Sequence, residues 1–341
     1  MAGGGELRRG VPGLRRGRDP PAAERRPSDR HGRSHRGRGR GLGPHDARGV
    51  HAASLAGLFA AAGRHRGPGP GAGPSVTPGR DHVPEHVVER WRGRSKDHCV
   101  VIPVINEGER IGRLLSRMSA LGIAEIADIV IVDGGSTDGS LAPARLDAAQ
   151  VAGLVRKTGP GKLSAQLLCA YAFALDQGYR GVVTIDGNNK DDPDAIPAFV
   201  QALKDGWDFV QASRYVKGGV AENTPWLRDL AIRLIHAPAL SLASGFRWTD
   251  TTQGFRAYSR RLLEDPRMAI FRPQFRDYEL LAYMNYRAPR LGFRCLELPT
   301  ARRYPKDEKT PTKIKPFQGE IALLRTLALV CLGRFNPPRV S

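Results

Sequence analysis

Along the chain, the pattern of apolar and polar residues changes abruptly near residue 97. Residues 1–95 are rich in Gly, Pro, Arg and His, and their apolar residues follow no helical or strand period. A β-branched run at 99–104 then predicts a buried strand. Apolar residues within 107–121 recur at the spacing of one helix face. The pattern therefore predicts an unstructured extension followed by a folded domain.

The alternation of strands and helices continues through the middle of the chain. Strands at this spacing from helices indicate βαβ units and a mostly parallel sheet, which is an α/β fold. Further strands are predicted at 129–132, 151–155, 181–185 and 209–212, with helices at 162–175 and 193–203. The predicted regions are a disordered extension at 1–96, a catalytic domain at 97–316, and a C-terminal amphipathic helix and tail at 317–341.

Charge and apolar runs restrict the partners and the compartment. Residues 1–95 hold 19 Lys and Arg against 8 Asp and Glu, so most of the net charge of +19 belongs to the extension. The mildly basic remainder suits an anionic phosphate substrate, and we predict no nucleic-acid partner. A misassigned start codon is an open alternative for the extension. The apolar runs at 52–62 and 321–332 are too short to span a bilayer. We therefore predict a cytoplasmic protein, with contact at the inner face of a membrane as an open alternative.

Polar residues gather where the predicted strands end, which is the edge at which parallel sheets bind ligands. Asp133 and Asp186 each follow an apolar run, where a carboxylate is costly unless it binds a cation or a donor group. Asp186 and Asn188, separated by Gly187, could together approach one Mg²⁺ or Mn²⁺. A nucleotide diphosphate would share that ion, which would offset the charge of the leaving group. A helix cap or turn is the alternative role for Asp186.

Other nucleotide-binding folds lack their motifs in this chain. A dinucleotide-binding fold needs G-x-G-x-x-G after the first strand, where this sequence has Asn106 and Glu107. The G-P-G-K at 159–162 lacks the spacing of a P-loop. A nucleotidyltransferase stays open as an alternative, although it would want a Gly-rich basic loop at the first strand end.

Six segments in order carry a family resemblance between residues 99 and 315. They are V-I-P-V-I-N-E at 101–107, I-V-D-G-G-S-T-D-G at 131–139, T-I-D-G-N at 184–188, A-S-R-Y-V-K-G-G at 212–219, T-Q-G-F-R-A-Y at 252–258, and E-L-P at 297–299 followed by Arg303 and T-K-I at 312–314. Together they resemble family 2 glycosyltransferases of GT-A fold, most closely the dolichol- and polyprenyl-phosphate sugar synthases. The resemblance implies inverting transfer from a nucleotide-sugar donor to a polyprenyl-phosphate or glycan acceptor.

That resemblance also implies roles for individual residues. The donor would be bound by Pro103, Ile105, Glu107, Asp133, Asp186, Gly187, Asn188, Lys190 and Arg214. Asp186 and Asn188 would hold Mg²⁺ or Mn²⁺. Arg303 and Lys313 would meet phosphate, with Lys309 as an alternative to Lys313. A hydroxyl acceptor would need a base, for which Asp250 and Glu279 are candidates, whereas a lipid phosphate would need none.

The chain also departs from the family pattern. Ile105 stands where the family commonly has Tyr, and Gly134 replaces the second Asp of D-D-G-S. Asn188 replaces the second Asp of D-x-D, and it supplies an oxygen without a charge. Lys190 lies where a polar residue such as Gln is common, so it is a candidate to replace part of the ion's charge. An inactive, transferase-like binding protein is therefore a further alternative.

Overall fold

The computed structural model describes residues 82–305 and 318–338, with the side chains of 318–320 excepted. Its strands are β1 (His86–Trp91), β2 (His98–Val104), β3 (Asp128–Asp133), β4 (Gly153–Lys157), β5 (Gly181–Thr184), β6 (Phe209–Ser213), β7 (Val220–Glu222), β8 (Arg256–Ser259), β9 (Cys295–Pro299) and β10 (Ala301–Arg303). Its α-helices are α1 (Glu109–Ala120), α2 (Ile123–Ile126), α3 (Pro143–Ala148), α4 (Leu163–Asp176), α5 (Ile196–Lys204), α6 (Trp226–Ala231), α7 (Ala237–Ser244), α8 (Arg260–Glu264), α9 (Glu279–Arg290) and α10 (Gln318–Cys331). A 3₁₀ turn at Pro193–Ala195 precedes α5, and a π-helical turn at Ile232–His236 joins α6 to α7.

An eight-stranded sheet forms the centre of the domain, in the order β1-β4-β3-β2-β5-β8-β6-β9. The neighbours β4-β3-β2-β5 are all parallel, as is the pair β6-β9. The edge strand β1 and the inner strand β8 run antiparallel to their neighbours. The predicted α/β class with a mostly parallel sheet is therefore confirmed.

Helices cover both faces of this sheet, which explains why its central strands are apolar on both sides. Along β2, Cys99 and Val101 face the layer that contains α4, whereas Val100 and Ile102 face the layer of α1 and α5. Because both faces are covered, polar chemistry is left to the strand ends. The carboxyl ends of β2, β3 and β5 lie side by side in this arrangement.

The strand β1 lies inside the region that we assigned to the disordered extension, so the boundary at residue 96 needs correction. Val87 and Val88 are exposed at the sheet edge, while the Trp91 ring packs edge-on against Phe173 at 4.9 Å. The Arg-rich composition around this strand obscured its short β-branched run. The ordered part of the chain therefore includes His86–Trp91.

A small second sheet pairs β7 with β10 in parallel. Asp191, which follows the end of β5, makes a single antiparallel bridge to Arg302 in β10. This bridge brings the loop after β5 against the strand that precedes Tyr304. The second sheet thus contributes side chains to the same region as the carboxyl end of β5.

Candidate functional site

A cavity of about 420 Å³ lies at the carboxyl ends of β2, β3 and β5. Its walls come from the loops after these strands and from the starts of α4 and α6. The lining residues are Pro103, Val104, Ile105, Glu107, Gly134, Lys157, Gly161, Lys162, Leu163, Gln166, Asp186, Gly187, Asn188, Arg228 and Tyr278. The structure therefore brings six of the predicted donor-binding residues into one cavity: Pro103, Ile105, Glu107, Asp186, Gly187 and Asn188.

Gln166 connects the ends of β2 and β3 beneath this cavity. Its side-chain amide donates to the carbonyl of Val104 at 2.8 Å and also to that of Val132. A Cβ at Gly134 would lie 3.3 Å from the Cβ of Ile105 and 3.4 Å from the Gln166 amide. A larger residue at position 134 would therefore contact Gln166 and need Ile105 to shift by a few tenths of an ångström.

Asp133 is fully buried and does not line the cavity. Its carboxylate accepts hydrogen bonds from the Ser136 backbone at 2.8 Å and from the Ser136 hydroxyl at 2.6 Å. Arg156 lies 3.6 Å away on the other side. Asp133 thus holds the turn that presents Gly134, and its predicted contact with the donor stays a prediction.

The loop after β5 places Asp186 and Asn188 at the cavity edge, with Asn188 Nδ2 3.5 Å from Asp186 Oδ2. The amide oxygen of Asn188 accepts from the Lys190 backbone at 3.1 Å, which tightens the loop. A Cβ at Gly254 would collide with the Asp186 carboxylate. The glycine of the G-F-R segment is therefore needed to leave room for Asp186.

Cationic side chains lie against this loop. Arg302 donates to both carboxylate oxygens of Asp191 at 2.6 Å and lies 3.4 Å from Asp186 Oδ2. The Lys190 ammonium lies 5.0 Å from the centre of the Tyr304 ring. Burial lowers the pKa of Lys190, and the nearby Arg302 lowers it further. Lys190 belongs to the same loop as Asp186 and Asn188, but it does not line the donor cavity.

Tyr304 follows β10 and lies within this cationic group. Its hydroxyl accepts a hydrogen bond from Arg228 at 3.3 Å, and the side chain of Arg228 also lines the cavity. Burial raises the pKa of the Tyr304 phenol, but the charges of Arg302 and Arg228 outweigh that effect and lower its pKa to about 8.

Arg214 and Asp250 form a buried ion pair, and neither residue lines the cavity. Asp250 Oδ2 accepts from Arg214 Nε at 2.7 Å and from the Gln253 amide at 2.7 Å. Burial raises the pKa of Asp250, but Arg214 and these hydrogen bonds outweigh it and bring the pKa below its usual value. Glu297 supports the pair by accepting from the backbone of residues 249 and 250. Asp250, a candidate base, is fully buried and paired with Arg214, and its catalytic role stays a prediction.

The other predicted catalytic residues also lie outside the cavity lining. Glu279 begins α9 and reaches back to accept from the backbone N–H groups of Arg276 and Asp277, which fixes the loop that precedes the helix. Arg303 pairs with Asp192 at 2.8 Å and with Glu222 at 3.1 Å on a half-exposed surface. Lys313 and its alternative Lys309 lie outside the described residues. Their catalytic roles remain predictions.

Sequence reasoning missed four residues around the site: Gln166, Arg228, Arg302 and Tyr304. Gln166 is a buried polar residue in an otherwise Ala- and Leu-rich helix, and that contrast was a usable signal. Successive side chains of a strand face opposite sides, so Arg302 and Arg303 lie on opposite faces of β10. The sequence alone does not show which of the two faces the site. Arg228 and Tyr304 carried no local signal, because only the tertiary fold brings them to the β5 loop.

The ligand chemistry at this edge can be compared with what a divalent ion needs. Asp186 and Asn188 offer a carboxylate and an amide oxygen, which are hard ligands of the kind that Mg²⁺ and Mn²⁺ take. Within residues 82–305 and 318–338, no group of three or more His, Cys, Asp or Glu side chains is arranged to hold a metal. As placed, the Asn188 amide turns its nitrogen to Asp186 and its oxygen to the Lys190 N–H. With the amide rotated, the pair would fit an ion that draws its other ligands from a diphosphate and water.

Similar proteins are known for this chain. The family model for glycosyl transferase family 2 matches residues 99–266. Polyprenol monophosphomannose synthase of Mycolicibacterium smegmatis is 30% identical over 59% of this chain and 75% of that protein. Dolichyl-phosphate hexose transferase of Haloferax volcanii is 30% identical over 69% of this chain and 94% of that protein.

Among solved structures, glucosyl-3-phosphoglycerate synthase of Mycobacterium tuberculosis, in complex with Mn²⁺, uridine diphosphate and phosphoglyceric acid, is 21% identical. That match covers 73% of this chain and 81% of the other, with a TM-score of 0.48. Finally, none of the helices in the described part of the chain is both long enough and apolar enough to cross a membrane.

Proposed function

Because the chain belongs to glycosyltransferase family 2, we propose that it moves a sugar from a nucleoside diphosphate to a polyprenyl phosphate, with inversion at the anomeric carbon. The observation that carries the proposal is the cavity at the ends of β2, β3 and β5. It combines apolar walls at Pro103 and Ile105 with the Asp186–Asn188 edge. Such a cavity suits a flat base at one end and a diphosphate at the other.

The choice of acceptor follows from the carboxylates near the cavity. Among the described residues, the acidic side chains in its lining are Glu107 and Asp186, and Glu107 pairs with Arg110 at 3.1 Å. Asp250 is buried against Arg214. A hydroxyl acceptor would need one of these groups as a base, whereas a phosphate acceptor is already anionic. The names of the relatives, which include polyprenyl and dolichyl phosphates, agree with a phosphate acceptor.

Divalent-metal use is typical of this family. When bound, the ion would offset negative charge on the leaving diphosphate, and Asp186 and Asn188 would hold it. Arg228, which lines the cavity beside them, would orient the phosphate groups as a guanidinium does. Gln166 would fix the floor of the site by joining the ends of β2 and β3.

A lipid acceptor implies contact with a membrane surface, and the α6–α7 segment is the place that we propose for it. Trp226 is 71% exposed and Leu242 is 89% exposed, and Leu227 and Leu234 are exposed between them. Arg228 and Arg233 lie on the same segment, as expected for a helix at an anionic interface. Exposed apolar side chains in such numbers mark an interaction surface.

The proposal is tested by combining a donor screen with an acceptor screen. UDP-, GDP- and dTDP-sugars are compared by thermal shift with Mg²⁺ and with Mn²⁺, since a cognate donor stabilises the native state by mass action. The donor that binds is then incubated with a polyprenyl phosphate or with the matching polyprenol, which lacks only the phosphate. We expect transfer to the polyprenyl phosphate alone. Transfer to the polyprenol or to a glycan would contradict the proposed acceptor.

A further inference from the structure

The loop that carries the candidate metal ligands also carries a buried ammonium group. The side chain of Lys190 is only 6% exposed, and within residues 82–305 and 318–338 it forms no ion pair with a carboxylate. Its described contact is with the face of Tyr304. Burying a cation in this way is costly unless an anion compensates it. The charges of Asp186 and the Tyr304 phenol favour this ammonium, whereas those of Arg302 and Arg228 oppose it. An anionic ligand would complete the compensation.

Two cavities meet at this loop. Asn188 lines the donor cavity and also a second cavity of about 420 Å³, whose lining includes Lys190 and Tyr304. Lys190 thus lies behind the Asp186–Asn188 edge, and its backbone N–H holds the Asn188 side chain. Lys190 lines the second cavity and not the first, so an anion that meets this ammonium would lie against Asn188, which both cavities share.

The same surroundings weaken the case for a tightly held divalent ion. A D-x-D pair offers two carboxylates, whereas this loop offers Asp186 and an uncharged amide. Arg302 already shares Asp186, at 3.4 Å, while it binds Asp191. Two fixed positive charges beside one available carboxylate repel an incoming cation and attract a diphosphate.

We propose that Lys190 supplies a fixed positive charge to the diphosphate of the donor, so that the donor binds without a divalent ion. This inference rests on the proposed function, because it takes the nucleotide sugar as the ligand. Lys190 then supplies the positive charge that a metal ion would otherwise supply when the diphosphate binds. A bound ion remains compatible with the site, but it adds little to the affinity.

The experiment measures the dissociation constants of UDP, GDP and dTDP by calorimetry, in EDTA and in Mn²⁺. The variants are K190Q, which removes the charge, K190R, which keeps it, and K204Q, a matched control on an exposed position at the end of α5. For the cognate nucleotide, we expect wild type, K190R and K204Q to bind in EDTA. We expect K190Q to bind at least about tenfold more weakly there, because a charge-assisted contact is lost.

A second variant moves the site back toward the family pattern. N188D/K190Q restores two carboxylates and removes the ammonium, so its nucleotide binding should require Mn²⁺. Circular dichroism checks that each variant is folded.

The inference is overturned if wild type binds nucleotide only in Mn²⁺, or if K190Q binds in EDTA as well as K204Q does. A wild-type protein that binds no nucleoside diphosphate in either buffer would instead remove the proposed function, and this inference with it.

Discussion

The two halves of the central sheet use polar residues in opposite ways. In the half formed by β4, β3, β2 and β5, the strands are parallel and their polar residues emerge at one edge, where Asp186 and Asn188 face a cavity. In the half formed by β8, β6 and β9, charged residues are buried between elements and are held by other groups of the fold. Arg214 with Asp250, and the fully buried Arg256, are examples.

The two halves differ in where their charged side chains find partners. Parallel strands covered on both faces leave charge to their ends, where the Asp186 carboxylate faces the cavity while Asp133 is taken up by the turn after β3. In the second half, Arg256 donates to three backbone carbonyls, those of residues 251, 253 and 281, and Asp250 accepts from the side chains around it. A charged residue in a family motif can therefore face the cavity, as Asp186 does, or be held within the fold, as Asp250 is.

The largest effect that we expect comes from removing the charge of Asp186. D186N keeps the shape of the side chain but leaves the site without its edge carboxylate, so transfer should fall about 100-fold or more. Turnover with the cognate donor and acceptor measures this loss. The control is D194N, on an exposed carboxylate two residues beyond Asp192. Full turnover in D186N would break the contrast between the halves, because the cavity edge would then not be the active region.

The family, the fold class and the glycosyltransferase activity were predictable from the sequence, and all are confirmed. Neither a nucleotidyltransferase nor an inactive binding protein is favoured by the similarities found. The prediction worked because strand ends in a parallel sheet carry both a local apolar pattern and a motif. Pro103, Ile105 and Asp186 show this, since each follows or ends a predicted strand and each lines the cavity.

The second half was predicted less well, for physical reasons. Whether Asp250 is a base or a partner of Arg214 depends on a contact across 36 residues, which no local pattern shows. Arg302 and Arg303 are neighbours on opposite faces of β10. Arg302 forms a buried ion pair with Asp191, whereas Arg303 forms an ion pair with Asp192 at the surface. The sequence does not show which of the two arginines is the buried one. Tertiary pairing, rather than composition, decides both cases.

The second prediction tests the architectural role of the buried pair. D250N leaves the Arg214 guanidinium buried without a counter-charge, which should destabilise the fold by about 3–5 kcal/mol. Denaturant unfolding of the two proteins measures the difference. As a control, E109Q breaks the exposed pair of Glu109 with Arg145 and should cost about 1 kcal/mol or less. If D250N were as stable as E109Q while losing transfer, Asp250 would belong with the catalytic residues.

The smallest effect that we expect lies at Tyr304, between the loop after β5 and the second sheet. Lys190 reaches its ring from the loop after β5, and Arg228 and Arg302 approach it from α6 and β10. The pKa of this phenol falls from the usual 10.0 to about 8 on folding. Its phenolate therefore contributes stability that is fully present above pH 10 and is lost as the pH falls through about 8.

Y304F removes the phenol and therefore its titration. We expect wild type to gain stability over Y304F as the pH rises from 7 to 10, by about 2–3 kcal/mol. Unfolding of both proteins across this range measures the gain, and the absorbance of tyrosinate should show one group titrating near pH 8 in wild type alone. A constant difference between the two proteins would mean that the cations do not act on Tyr304. The charge around the β5 loop would then be neutralised within the chain, which would also weaken the case for an external anion there.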